Sequence, residues 1–267
     1  MKLSACFYLV VFSCFLFSCN ESDDGKLTSK ANETKELEYL KQDIKKHPDS
    51  LMLVEKLIQY YRETGSYDSA LAVTEQAIDK GADIHGLWSI RGTLHYENGD
   101  TVNAVRSFEQ AIEIYPLPDY LIALGTIYAQ QKNPKALAVA NSLTGPDPVK
   151  SKTGKDAYFI KGLYYNVTGD KNRAIALFDS CINLDYNYMF AYREKAIALH
   201  DQAKYKEALQ VLKKAVEVQN NFDEGYYWMG NCYKKLNKKE EAIENYRRAL
   251  FYDKDFIEAR DSLKTLE

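Results

Sequence analysis

Four histidines and five cysteines are the residues of this 267-residue chain best suited to metal binding or nucleophilic chemistry. His47, His85, His95 and His200 form no H-x3-H pair, and no two cysteines form a C-x2-C pair. Such spacings matter because a zinc site needs four ligands to converge on one centre. His200-Asp201 invites an acid–base reading, but adjacent residues on a helix point in different directions. No glycine-rich loop that could cradle a phosphate occurs. Gly65, Gly99 and Gly169 fall singly between helical stretches, where a turn calls for positive φ. Cys181 and Cys232 stand at apolar helical positions and read as small buried hydrophobes rather than as a disulfide or metal pair. The expectation is a chain without catalytic residues, metal or cofactor, whose function lies in its surface.

The elements that shape that surface are clearest between Trp88 and Pro116. Apolar residues recur at helical spacing from Trp88 to Tyr96, Glu-Asn-Gly-Asp at 97–100 breaks the pattern, and it resumes from Val102 to Ile114. This predicts a helical hairpin, with small residues, Gly92, Ala104 and Ala111, where two helices would cross and Phe108 filling the space between them. One hairpin cannot bury its own apolar face, so copies must flank it. The small residue opening the second helix recurs as Ala70, Ala104, Ala136, Ala174, Ala208 and Ala242, at intervals of 34, 32, 38, 34 and 34. The first-helix glycine recurs as Gly92, Gly125, Gly162 and Gly230, with Ile58 and Ala196 in its place in the other two copies. Tyr61, Tyr128, Tyr165 and Tyr233 close first helices, and Phe178 and Tyr246 match Phe108.

Trp88, Gly92, Ala104, Phe108 and Pro116 resemble the signature of the tetratricopeptide repeat, from which the stretch departs at Arg91 and His95. That resemblance implies an all-α, right-handed α-solenoid of about six hairpins over residues 50–253, within a repeat domain of 33–267. Helices over 33–46 and from Ile257 to Leu266 would cap its ends. The 38-residue interval comes from the irregular stretch Thr144 to Lys155, a tolerated insertion or a candidate hinge.

The chain begins with a different pattern. Lys2 precedes an apolar run, Leu3 to Phe17, too short to span a membrane, so residues 1–18 read as a signal peptide. Leu16, Ser18 and Cys19 resemble a bacterial lipobox, which implies a diacylglycerol thioether on Cys19 and cleavage just before it; an ordinary secretory signal is the alternative. Multiple acyl chains would anchor the protein stably. Residues 19–32 open with Asn20-Glu21-Ser22-Asp23-Asp24-Gly25 and are expected to form a flexible acidic tether. That acidic patch resembles a signal for display on the outer face of an outer membrane. The expected location is therefore the outer membrane, lipid-anchored, surface-exposed or periplasm-facing. A formal charge of −3, which becomes −4 once Lys2 is removed, disfavours a nucleic-acid surface.

In the resembled fold the first helices line a concave groove, into which point the residues three before and one after each motif glycine. This gives Glu55 and Gln59, Ser89 and Thr93, Ile122 and Thr126, Phe159 and Leu163, Arg193 and Ile197, then Tyr227 and Asn231. The stripe runs from polar to apolar, so the candidate partner-binding residues are Ile122, Phe159, Leu163, Phe190, Arg193, Ile197, Tyr227 and Asn231, with core packing as the alternative for the apolar ones. Relatives that clamp a carboxylate carry Lys and Asn at that stripe in one repeat, and no repeat here does. These features imply a lipid-anchored envelope scaffold that takes a protein or peptide in its groove. The alternatives are an assembly or pilotin-like factor for an outer-membrane complex and a glycan-handling accessory using Tyr164, Tyr165, Tyr227 and Trp228. Asp49-Ser50-Leu51, Asp68-Ser69-Ala70, Asp100-Thr101-Val102 and Asp261-Ser262-Leu263 resemble a short O-glycosylation motif, though helix capping accounts for most of them.

Overall fold

Helices account for every regular element among the described residues, and the turns between them follow one recipe. The computed structural model describes residues 23–47, 49–81, 84–144 and 149–267. The signal-peptide and Cys19 assignments lie outside them. Two compact units make up the chain, divided between Tyr120 and Leu121. The first holds α1 (Asp23–Lys46), α2 (Leu51–Glu63), α3 (Tyr67–Asp79), α4 (Ile84–Glu97) and α5 (Thr101–Ile114). The boundary falls in α6 (Pro118–Gln130). The second unit continues with α7 (Lys135–Ser142), α8 (Gly154–Thr168), α9 (Lys171–Leu184), α10 (Met189–Asp201), α11 (Tyr205–Val218), α12 (Asp223–Lys235), α13 (Lys239–Tyr252) and α14 (Ile257–Lys264).

The hairpin α4/α5 shows how sequence sets local structure. Gly99 adopts φ +82, and the Asp100 N–H donates to the His95 carbonyl at 2.8 Å, which closes α4 with a left-handed cap. Asp100 then accepts from the Asn103 N–H at 3.1 Å and opens α5. Pro116 forces Tyr115 into extended backbone, and α5 stops. The same backbone bond recurs at Ser66, Asn133, Lys204 and Lys238, after Gly65, Lys132, Ala203 and Asn237, all at positive φ. The expected glycine turns at 65, 99 and 169 are present; of the three non-glycine ones, Asn237 is a type that tolerates positive φ, whereas Lys132 and Ala203 carry no signal.

One expectation changes at the N-terminus. Helix α1 starts at Asp23, so the stretch read as a flexible tether is helical from there on, ahead of the expected start at 33. The segment from Lys26 to Lys35 contains neither proline nor glycine, and backbone propensity can extend a helix without an apolar stripe. At the other end, α14 buries Ala259, while Leu263 and Leu266 are half-buried.

Within each hairpin the helices cross at the marked residues. Ala70, Ala104, Ala136, Ala174, Ala208 and Ala242 are all inaccessible to solvent. Sizes at the crossing are reciprocal. A β-carbon on Gly92 would lie 2.9 Å from Phe108, one on Gly162 2.5 Å from Phe178, and one on Gly230 2.6 Å from Tyr246. Where the first helix carries Ala196 instead, the matching position holds Leu212; where it carries Ile58, it holds Thr74. All five of these partner side chains are buried.

Reciprocity of size yields a test. Gly162→Ala gains helix propensity of about 1 kcal/mol but overpacks the crossing by about 1–3 kcal/mol, so a small net destabilisation is expected. Adding Phe178→Leu copies the Ala196/Leu212 pair, and urea denaturation should find the double variant more stable than the two single effects sum to.

Candidate functional site

The groove stripe meets different fates in the two units. In the first, a groove of about 480 Å³ is lined by Met52, Glu55, Lys56, Ile58, Gln59 and Arg62 of α2 and by Ser89, Ile90, Thr93 and Leu94 of α4. Glu55, Gln59, Ser89 and Thr93, the four stripe residues expected of these two helices, all line it. Its floor is apolar, through Ile58 and Leu94, and its rim is polar. One end is fixed by a network: Arg62 donates through Nε to Glu97 Oε2 at 2.7 Å and through Nη2 to Oε1, while Gln59 donates to Glu63 at 2.7 Å. The hydrogen bond to Glu97, partly opposed by burial, holds the Arg62 guanidinium above its ordinary pKa, so it stays charged. Glu55 and Lys56 remain exposed. Met52, Lys56, Arg62 and Ile90 were not in the expected set; Met52 falls on the same stripe one helical turn upstream, and that periodicity could have found it.

In the second unit the stripe is largely consumed by packing. Phe159 and Leu163, expected to be exposed, are 6% and 5% accessible. Phe159 is enclosed by Phe178, Tyr188 and Phe190, with centroids 6.0, 5.3 and 6.4 Å away. Aromatic edges bury one another wherever they can, and the core-packing reading holds for this pair. Phe190 and Ile197 are half-buried, as is Ile122 in α6. Tyr227 packs on Phe256 at 4.9 Å and on Trp228 at 5.6 Å, and Asn231 Oδ1 accepts from the Tyr246 hydroxyl at 2.8 Å. Tyr164 and Tyr165 likewise meet edge to face at 5.5 Å.

Arg193, expected to anchor a partner, is engaged within the unit. Its Nη1 contacts both oxygens of Glu224, at 2.7 and 2.8 Å, and its Nε donates to Glu194 at 3.1 Å. The guanidinium also lies over the Phe190 ring at 5.2 Å. Burial pushes the Glu194 carboxyl above its usual range despite Arg193, whereas Glu194 and Glu224 hold Arg193 charged against the same burial. Lys155 to Asp185 at 2.5 Å closes the α8/α9 hairpin, and further polar pairs join it to the next: Lys171 to Asp201 at 2.6 Å and the Tyr188 hydroxyl to Asp156 at 3.1 Å. Among the described residues no group of three His, Cys, Asp or Glu could hold a metal ion.

Repeated hairpins of this size, with small residues at the crossings and an open groove on the first helices, define a helical repeat protein. Two stretches, 55–117 and 155–188, match the tetratricopeptide repeat, and the chain is a tetratricopeptide-repeat protein. Residues 191–266 also match the family described as regulator of microtubule dynamics protein 1-3. The human superkiller complex protein 3 is 24% identical over 207 residues, which cover 73% of this chain and 13% of that protein. A STIP1 homolog from Dictyostelium discoideum is 31% identical over 90 residues, covering 31% of this chain and 16% of that protein. The chain thus spans only a small part of the curated relatives it matches. Among solved structures, a tetratricopeptide repeat protein from Parabacteroides merdae superposes with a TM-score of 0.71 at 18% identity, covering 90% of this chain and 94% of that one. PilW, a type IV pilus biogenesis factor, superposes with a TM-score of 0.61 at 19% identity, covering 80% and 96%. These likenesses establish the fold.

The Arg193 cluster gives a second test. Arg193→Leu leaves the half-buried Glu194 and Glu224 without their cation and should cost about 1.5–3 kcal/mol in chemical denaturation. Replacing all three residues by leucine should recover most of that loss, and Arg248→Ala, at an exposed helix-surface pair, should change stability by less than about 0.5 kcal/mol.

Proposed function

We propose that this protein is a non-catalytic scaffold of a bacterial cell envelope, held to a membrane by acyl chains on Cys19, which takes a segment of a partner protein in the groove between α2 and α4. The observation that carries the reading is the groove itself: it is open, polar at its rim and apolar at its floor, and lined by the stripe expected of a recognition surface. The second unit contributes rigidity, since its stripe is spent on its own aromatic and ionic packing. Among the described residues no helix is long and apolar enough to cross a membrane. Attachment would rest on the lipobox-like Leu16, Ser18 and Cys19. The acidic residues that follow Cys19 support display at the outer membrane.

Two experiments test the two halves of this reading. Cys19→Ala should move the protein from the membrane fraction to the soluble fraction, and unchanged fractionation overturns the anchor. A photo-crosslinking residue at Thr93 or Gln59 should capture one discrete partner in cells, and a bulky added charge at the rim, Ser89→Arg, should abolish that capture. Equal capture from Arg106, on the exposed face of α5, overturns the groove assignment.

A further inference from the structure

The two departures from the repeat signature, Arg91 and His95, lie one turn apart on α4 and share one environment. In four other repeats the position of His95 is a tyrosine with a cation over its ring: Lys41 is 6.0 Å from Tyr61, Lys135 is 5.4 Å from Tyr128, Arg173 is 4.5 Å from Tyr165 and Lys238 is 5.9 Å from Tyr233. Repeat two reverses the charges. Its ring can itself become a cation, and its neighbour is the Asp100 carboxylate, with Oδ2 3.4 Å from His95 Nδ1.

His95 is 8% accessible, and neither ring nitrogen has a hydrogen-bond partner. Asp100 is already committed: it accepts from the Asn103 backbone N–H at 3.1 Å and from Asn103 Nδ2 at 2.6 Å, and so caps α5. Arg91, one turn before His95, donates to Ser107 of α5 at 2.8 Å and to Glu75 of α3 at 3.2 Å. The charged groups facing the imidazole are thus Glu75 from α3, Arg91 from α4 itself and Asp100 from the cap of α5.

We propose that His95 makes repeat two an acid-triggered joint: a proton on its buried ring loosens α4 from α5 and disturbs the groove, whose second wall is Ser89, Ile90, Thr93 and Leu94 of that same helix. The consequence for partner release rests on the groove reading above; the joint itself does not. The proton would be shut away from water and face Arg91, and Asp100, which also serves Asn103, offsets that cost only in part. Burial first, then Arg91, keeps the imidazole below its ordinary pKa, with Asp100 and Glu75 opposing only in part. A group depressed in this way binds its proton more readily when unfolded. Its contribution to stability is therefore complete above about pH 6.5 and is lost as pH falls below that value.

Amide hydrogen exchange on the full chain without partner, at about pH 7.5 and about pH 5.5, brackets the ordinary histidine value and tests the joint. After correction for intrinsic exchange, opening of 84–97 should rise on acidification in the native protein. In His95→Tyr, which installs the residue of the other repeats, that rise should be lost, while residues 189–201, which carry His200, keep their own pH response. If tyrosine does not fit, His95→Leu copies Leu199 of repeat five and serves the same comparison. An equal rise in the native protein and the variants, or no rise in the native protein, overturns the joint. Because no partner is present, either result leaves the groove assignment to be decided by crosslinking.

Discussion

Everything in this protein depends on two helices of each hairpin approaching closely enough to exclude water between them. The approach is limited by summed volume at one crossing, and the chain meets that limit in different ways. Three repeats set glycine against an aromatic ring, one sets Ala196 against Leu212, and one sets Ile58 against Thr74. Cores tolerate such exchanges when total volume is kept, and they respond to single changes because the interior is close-packed. Fixing that crossing places the rest. The stripe on each first helix, the left-handed turn after it and the capped start of the second helix all follow from it.

The two units then use their stripes differently. In α8, α10 and α12 the aromatic residues are numerous enough to cover one another, and the one arginine is paired with two half-buried carboxylates. Such pairs add little net stability over apolar packing, but breaking one is costly, so they favour a single arrangement of neighbouring hairpins. Between α2 and α4 the stripe is more polar, α4 presents the short Ser89 and Thr93, and the side chains do not close over the space between them. The groove is open because nothing large enough stands there to fill it.

The fold was legible because its determinants are local and periodic. Ala70, Ala104, Ala136, Ala174, Ala208 and Ala242 mark the second helices without any knowledge of tertiary contacts, and each is buried as its spacing implies. Exposure along the stripe was harder to read. A phenylalanine at a groove position is equally consistent with a recognition surface and with an aromatic cluster; Phe159 became core because Tyr188 and Phe190 lie across it, a contact 29 or more residues distant that periodicity does not encode. Arg193 was misleading for the same reason, since Glu224 is supplied by the next repeat. Turns at Lys132, Ala203 and Asn237 take positive φ without glycine, because the geometry there is set by the helices on either side. At α1, low hydrophobicity suggested a tether where the chain is helical from Asp23.

Cys181 occupies a position where four other repeats place alanine, Cys232 lies two residues beyond the Gly230 crossing, and burial raises both thiols, that of Cys232 to about 12. Almost no thiolate forms at neutral pH, so neither sulfur is available to oxidants or electrophiles while the helices stay packed. The described part of the molecule therefore has a quiet thiol background: a single cysteine engineered at the groove rim would accept a spectroscopic label cleanly, and sudden labelling of the native pair would report that a hairpin had come apart.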